Sequence, residues 1–295
     1  MCRVLAAMVL LWVCWGSSFP AMRVMVSGLP PLLASGAVFL AAGLVLAALR
    51  PGALRGLSRR QIGVSAGVGL CLLGAQGTIA VAMRHVYAGT AALLVAAIPL
   101  WVAVLRALCG DRPSGGGVVR LLAGFAGVAV VLGAGSGGDQ GWSGWGVVVV
   151  VASVAWAAGT LGASRTRVPT RPATVVQLLA GGLMLMVAGF LTGEIAGVTE
   201  AQVGAVAWLS FGYLVVVDSL AGFALFNWLL RAAPVSLVST YSYAVPVVAL
   251  LVAVLVLGEP FRPVVLMGAV VIVGAVAAEV VAMGRSSPFP PRRSP

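Results

Sequence analysis

The chain has 295 residues, 61% of them hydrophobic and only 8% charged, with a mean hydropathy of +1.11. Soluble domains are about a quarter charged, so this composition cannot clothe a water-facing surface and excludes an ordinary soluble protein. The net charge of +11 does not imply a nucleic-acid partner: all eighteen basic residues are arginines in short runs between apolar stretches, as topology signals are, not along one face.

A hydrocarbon core about 30 Å thick is crossed by roughly 20 apolar residues in a helix. Runs of that kind predict ten transmembrane helices at 4–27, 31–49, 62–83, 89–108, 118–135, 142–161, 173–192, 205–230, 236–257 and 264–283. The first superficially resembles a signal peptide, but it continues past Trp15 without a small-residue cleavage site before Pro20, and is retained as a helix. Connections are short and carry turn residues, as in Leu29-Pro30-Pro31 and Gly258-Glu259-Pro260, leaving no room for a soluble domain. The tail from Gly284 is rich in Ser, Pro and Arg and is predicted to be disordered. Cys2, Cys14, Cys71 and Cys109 lack metal-ligand spacing and read as small packing residues.

With the N-terminus inside, fifteen of the eighteen arginines fall on the cytoplasmic side; Arg84 and Arg262 lie opposite, and Arg23 is within the first helix. This bias puts both termini in the cytoplasm and requires an even number of helices. The halves also echo each other. Residues 91–100, leading through Pro99 to Gly110-Asp111-Arg112-Pro113, resemble 238–247, leading through Pro246 to Gly258-Glu259-Pro260. Trp15-Gly16-Ser17 with Arg23 resembles Trp156-Ala157-Ala158-Gly159-Thr160 with Arg165. Five helices is an odd number, so a second copy must run upside-down. The predicted architecture is all-α and polytopic, with two inverted five-helix repeats at 1–137 and 138–283 and a cytoplasmic tail at 284–295. Such repeats place a substrate site between the halves, near the midplane.

These motifs resemble the EamA-type permeases of the drug/metabolite transporter superfamily. The residues concerned are Trp15-Gly16-Ser17-Ser18-Phe19-Pro20, Pro99 with Gly110-Asp111-Arg112-Pro113, Ser153-Val154-Ala155-Trp156-Ala157, the run 239–249 around Pro246, and Leu257-Gly258-Glu259-Pro260. The resemblance implies a plasma-membrane protein that exports or exchanges small organic solutes such as amino acids, metabolites or drugs. Three departures stand out. Ser35-Gly36-Ala37 replaces a common helix-two arginine, Val245 an asparagine, and Asp218-Ser219 a usual Gly-Ser pair.

Asp218 lies mid-way along the eighth predicted helix, where an unpaired charge costs about 2.5–3.5 kcal/mol on insertion scales. It either takes up a coupling proton, holds a cationic substrate, or is a structural acid satisfied by Ser219 or a neighbouring helix. Ser236, Thr240 and Tyr243 form a hydroxyl stripe at helical spacing. Gln76, Gln177 and Ser18 are further polar candidates, and Trp15, Trp101 and Trp156 could wall a site for an amphipathic solute. Pro99 and Pro246 are candidate kinks that free a backbone carbonyl. Arg23 is expected to snorkel to headgroups more readily than to touch substrate, and Trp142 and Trp145 to sit in an interfacial belt. Gly63 and Gly67 have the spacing for close helix packing. Neither a metal nor an organic cofactor is expected, and a lone His85 in a loop does not suggest one. The leading function is a secondary transporter whose partners are a small-molecule substrate and the bilayer. A membrane-embedded enzyme competes poorly, since HExxH, paired aspartates and GxSxG are missing from the sequence. A non-transporting scaffold has nothing to favour it, and ten helices can form a pathway as a monomer.

Overall fold

The computed structural model describes residues 2–49, 52, 55–111, 114–134, 144–165, 168–197, 204–233, 238, 241–260 and 262–286. Every regular element among the described residues is a helix. The first span is α1 (Cys2–Gly16) and α2 (Ser18–Gly28), separated at Ser17. Then follow α3 (Pro31–Ala48), α4 (Arg59–Ala82), α5 (Ala88–Val95), α6 (Ile98–Leu108) and α7 (Gly115–Gly133). The second half has α8 (Gly144–Arg165), α9 (Thr170–Leu191) and a 3₁₀ turn, Glu194–Gly197. The eighth span runs α10 (Ala205–Tyr213), a π-helical stretch (Leu214–Gly222) and α11 (Phe223–Ala232). The chain ends in α12 (Tyr241–Leu257) and α13 (Pro263–Ser286). Eight segments among the described residues are long and apolar enough to cross a membrane, and α12 and α13 contribute shorter apolar helices.

Helix ends follow local chemistry. Ser58 and Gln61 form a capping box at the start of α4, and the Ser114 hydroxyl accepts from the Gly117 N–H at the start of α7. Pro31 opens α3 at a position where no N–H partner is needed. Two predicted features need correction, and the two candidate kinks differ in form. The fourth span is broken at Ala96-Ala97, with Pro99 in the first turn of α6, because the ring cannot continue the bonding of the preceding helix. Its counterpart Pro246 lies inside the continuous α12. The last helix continues through Ser286, past the predicted tail boundary at Gly284. Finally, a Cβ at Gly63 or Gly67 would meet nothing within 4 Å, so neither glycine mediates packing.

Close approach occurs elsewhere. A Cβ on Gly36 would stand 2.8 Å from the Gly182 carbonyl oxygen, and one on Gly182 would stand 3.0 Å from that of Gly36. The same reciprocity joins Gly127 and Gly268, at 3.1 and 3.0 Å. Thus α3 packs backbone-to-backbone on α9, and α7 on α13. Further contacts join α4 to α8 and α9, α12 to α1 and α5, α6 to α8, and α2 to α10. Most of the deep core (Met25, Ile79, Met83, Leu94, Leu100, Val131) therefore lies where helices of both halves meet. Leu44, Leu122, Leu183, Leu255 and Val270 point outward. In hydrocarbon such exposed side chains are an ordinary solvated surface, not an aggregation hazard.

Candidate solute-binding site

Asp218 stands half-way along the eighth span, inside the π-helical stretch. A π turn inserts extra backbone per turn, which widens the helix, and such turns concentrate at functional sites. Here the widened backbone meets α1. The Trp15 indole N–H donates to the Asp218 carbonyl oxygen at 3.3 Å, and its ring lies over Gly222, where a Cβ would be only 2.4 Å from Nε1. Trp15 also meets Phe223, Phe226 and Tyr241 with ring centroids 5.9, 5.2 and 5.0 Å away. The half-buried Asp218 side chain lies near the Ser18 hydroxyl and buried Cys14, and the adjacent Ser219 hydroxyl is buried without a hydrogen-bond partner among the described residues. Among the described residues it forms no ion pair. Ser18 also donates to the Trp15 carbonyl at 2.7 Å, and Ser17 shares a 2.6 Å hydrogen bond with the Tyr213 hydroxyl. The first and eighth spans, from different halves of the chain, thus meet through one acid, several hydroxyls and an aromatic cluster. That arrangement can hold a proton on the carboxylate or pair it with a cationic group beside aromatic faces.

The structure brings only part of the predicted set together. Trp15, Ser18 and Asp218 share this site, with Tyr241 added to it. Trp101 lies elsewhere, its ring 4.5 Å from Phe125 and its buried Nε1 without a hydrogen-bond partner among the described residues. Trp156 packs against the main core from α8. Gln76 and Gln177 are half-buried on α4 and α9, and the backbone of Gln177 abuts Gly69. Tyr243 is half-buried on α12; Ser236 and Thr240 lie outside the described residues, as does Trp142. Trp145 stacks on His85 at 4.3 Å.

Arg23 departs most from expectation. Instead of snorkelling to headgroups, its Nε lies 3.3 Å from Oε1 of Glu259, and its guanidinium donates to the Met83 carbonyl at 3.0 Å and to that of Val86. The Tyr87 ring lies 5.2 Å away. Glu259 is 8% exposed and accepts from the Ala88 and Gly89 N–H groups at 2.7 and 3.1 Å, capping α5. Glu194 likewise accepts from Leu32 and Leu33 at the start of α3. A helix start with a carboxylate on its free N–H groups satisfies both partners. Sequence reasoning missed these ties. The available signal was that Arg23 and Glu259 fall at the same predicted membrane face, where buried charges need partners.

Comparison with known proteins agrees with this picture. The sequence profile of the EamA-like transporter family matches residues 3–133 and, a second time, 144–279. The chain is 32% identical over 259 residues to the uncharacterized inner membrane transporter YedA of Escherichia coli, covering 86% of this chain and 82% of the relative. It is 27% identical to the uncharacterized transporter YvbV of Bacillus subtilis, over 93% and 90%. It is 30% identical to a probable terminal-alkyne amino-acid exporter of Streptantibioticus cattleyicolor, over 89% and 88%. A crystal structure of a protein with 21% identity superposes with a TM-score of 0.61, covering 97% of this chain and all of that one, which shows a shared fold.

Proposed function

The chain belongs to the EamA-like transporter family, and from that premise we propose that it carries a small organic solute across the cell membrane by alternating access, with Asp218 as the coupling or solute-binding acid. It is a multi-pass membrane protein related to an uncharacterized inner membrane transporter and to a second uncharacterized transporter. The observation that carries the proposal is the carboxylate of Asp218, held without an ion pair among the described residues where the first and eighth spans meet. An ionisable side chain within a membrane span is costly unless it serves a site, and a carboxylate that can hold a proton or pair with a cation suits a carrier.

The proposed scaffold is a pair of inverted five-helix repeats, 1–137 and 138–283, with both termini in the cytoplasm. Two features support it. The reciprocal glycine contacts, Gly36 with Gly182 and Gly127 with Gly268, have the form expected where symmetry-mates meet on a two-fold axis. The contacts α6–α8 and α1–α12 also exchange when each span is advanced by five. The arginine bias sets the orientation. Amino acids head the list of solutes because one relative is named as an amino-acid exporter.

The test is solute uptake into proteoliposomes of stated orientation, with and without a pH gradient, for panels of amino acids, organic amines and nucleosides. The expected result is gradient-driven flux of one class in the wild type, lost in Asp218→Asn. Loss of pH dependence with retained exchange assigns Asp218 to the proton. Loss confined to amines assigns it to the solute, with Trp15 and Tyr241 as aromatic walls. A correctly inserted protein with no flux for any panel, or an Asp218→Asn variant indistinguishable from wild type, overturns the proposal.

A further inference from the structure

The two ends of the helix bundle differ in a way that the internal repeat makes interpretable. At one end, Arg23 pairs with Glu259, Glu194 caps α3, and Arg262 donates to the Ala134 carbonyl at 2.7 Å. Each of these ties crosses between the first and second halves of the chain. The void bordering Glu259, Tyr87 and Thr90 is about 10 Å³, roughly one water. At the other end, a cavity of about 440 Å³ opens between α6 and α8, lined by Val102, Arg106, Asp111, Thr160, Ser164 and Arg165.

The charged residues at the two ends are repeat counterparts. Arg23 follows Trp15 by eight residues, and Arg165 follows Trp156 by nine. Glu259 and Asp111 each follow a glycine at positive φ, Gly258 at 65° and Gly110 at 98°. Such a backbone suits glycine alone, so both acids leave their helices through the same kind of turn. Arg23 and Glu259 are in contact and largely buried, whereas Asp111 is 58% exposed and bonds to Arg106 on its own span. Arg165 donates to the Cys109 sulfur at 3.6 Å. Both line the open cavity without pairing with each other.

We propose that Arg23–Glu259 and Arg165–Asp111 are alternating ionic latches: the first closes one mouth of the pathway in this structure, and the second closes the opposite mouth when the first is broken. The proposal rests on the alternating-access reading and names the residues that gate it. Two halves packed backbone-to-backbone at Gly36–Gly182 and Gly127–Gly268 rock as rigid bodies, so parting them at one end brings them together at the other. The arginine distribution makes the closed mouth the extracellular one.

The latches are tested by thiol labelling in a background with all four native cysteines replaced. Thr90→Cys reports the closed mouth, where Thr90 is 5% exposed, and Ser164→Cys reports the open one. Without a latch mutation, Ser164→Cys reacts rapidly with a maleimide and Thr90→Cys slowly. Arg23→Gln and Glu259→Gln raise Thr90→Cys labelling and lower that of Ser164→Cys, each by about fivefold or more. Added to Arg23→Gln, Asp111→Asn or Arg165→Gln returns both rates toward their values without a latch mutation; no return overturns the second latch. Arg23→Gln keeps the Glu259 bonds to Ala88 and Gly89, so it remains informative if Glu259→Gln fails to fold; thermal unfolding in detergent checks each variant. A rise at Thr90→Cys with no change at Ser164→Cys makes Arg23–Glu259 a local staple and overturns the proposal, as does no rise at all. Labelling requires no solute. Coupled labelling without flux therefore counts against the transport reading alone, and flux with uncoupled labelling against the latches alone.

Discussion

The third and eighth spans occupy matching places in the two family repeats yet differ in build. The third, α4, is one regular 24-residue helix that begins in a capping box and packs through Gly69, Gly77 and its neighbours. The eighth passes from α-helix to π-helix and back, and carries an acid where α4 has none. Regular hydrogen bonding lets α4 lie close against α8 and α9, whereas the π stretch gives up regularity and exposes the Asp218 carbonyl to the Trp15 indole. One copy is regular and closely packed, and its mate is widened around an acid.

Breaking the chemistry of the eighth span has the largest expected effect. Asp218→Asn lowers solute flux at least about tenfold, equal to ~1.4 kcal/mol, with little change in thermal unfolding. If melting falls as far as flux does, Asp218 is structural. On the packing side, Gly69→Val places a Cβ about where the Gln177 backbone stands, 2.5 Å from its carbonyl oxygen. Because backbone cannot swing aside, overpacking of this kind costs about 1–3 kcal/mol or more and is read from thermal unfolding in detergent. Gly222→Ala instead meets the indole of Trp15 at 2.4 Å, the end of a side chain that can turn away. The expected cost is the Trp15–Asp218 hydrogen bond, about 1 kcal/mol, together with a weakened solute-induced thermal shift. Trp15→Phe isolates that bond: it keeps most of the aromatic packing and loses about 0.5–1.5 kcal/mol. Ser58→Ala, which removes the cap of α4, costs about 1 kcal/mol or less at an exposed end and leaves flux at the wild-type level. Equal sensitivity of flux to Gly69→Val and Gly222→Ala at matched stability would erase the division between the spans.

The helical class and the approximate spans were legible because each depends on a local run of side chains. The doubled motifs around Pro99 and Pro246 anticipated two successive family matches. Asp218 could be singled out because a charge among Val215, Val216 and Val217 is costly in lipid. Its companions could not all be found in the same way. Trp15 was among the candidates but so were Trp101 and Trp156, and nothing in one dimension says that only the first faces Asp218. The Gly63–Gly67 spacing is as regular as any in the chain, yet that face of α4 meets no neighbour. Spacing reports which residues share a face, not what the face touches.

What the sequence determined by itself was the solvent this protein lives in, since too few charges and too many apolar side chains admit only hydrocarbon. Hydropathy and arginine placement are sums over neighbours along the chain, and need no tertiary information. Only the tertiary structure decided that Arg23 meets Glu259, that Trp15 rests on Gly222, and that the eighth span widens around its acid. These contacts join residues about 200 positions apart. They follow from the rotation and register of packed helices, which close backbone approach sets and composition does not record.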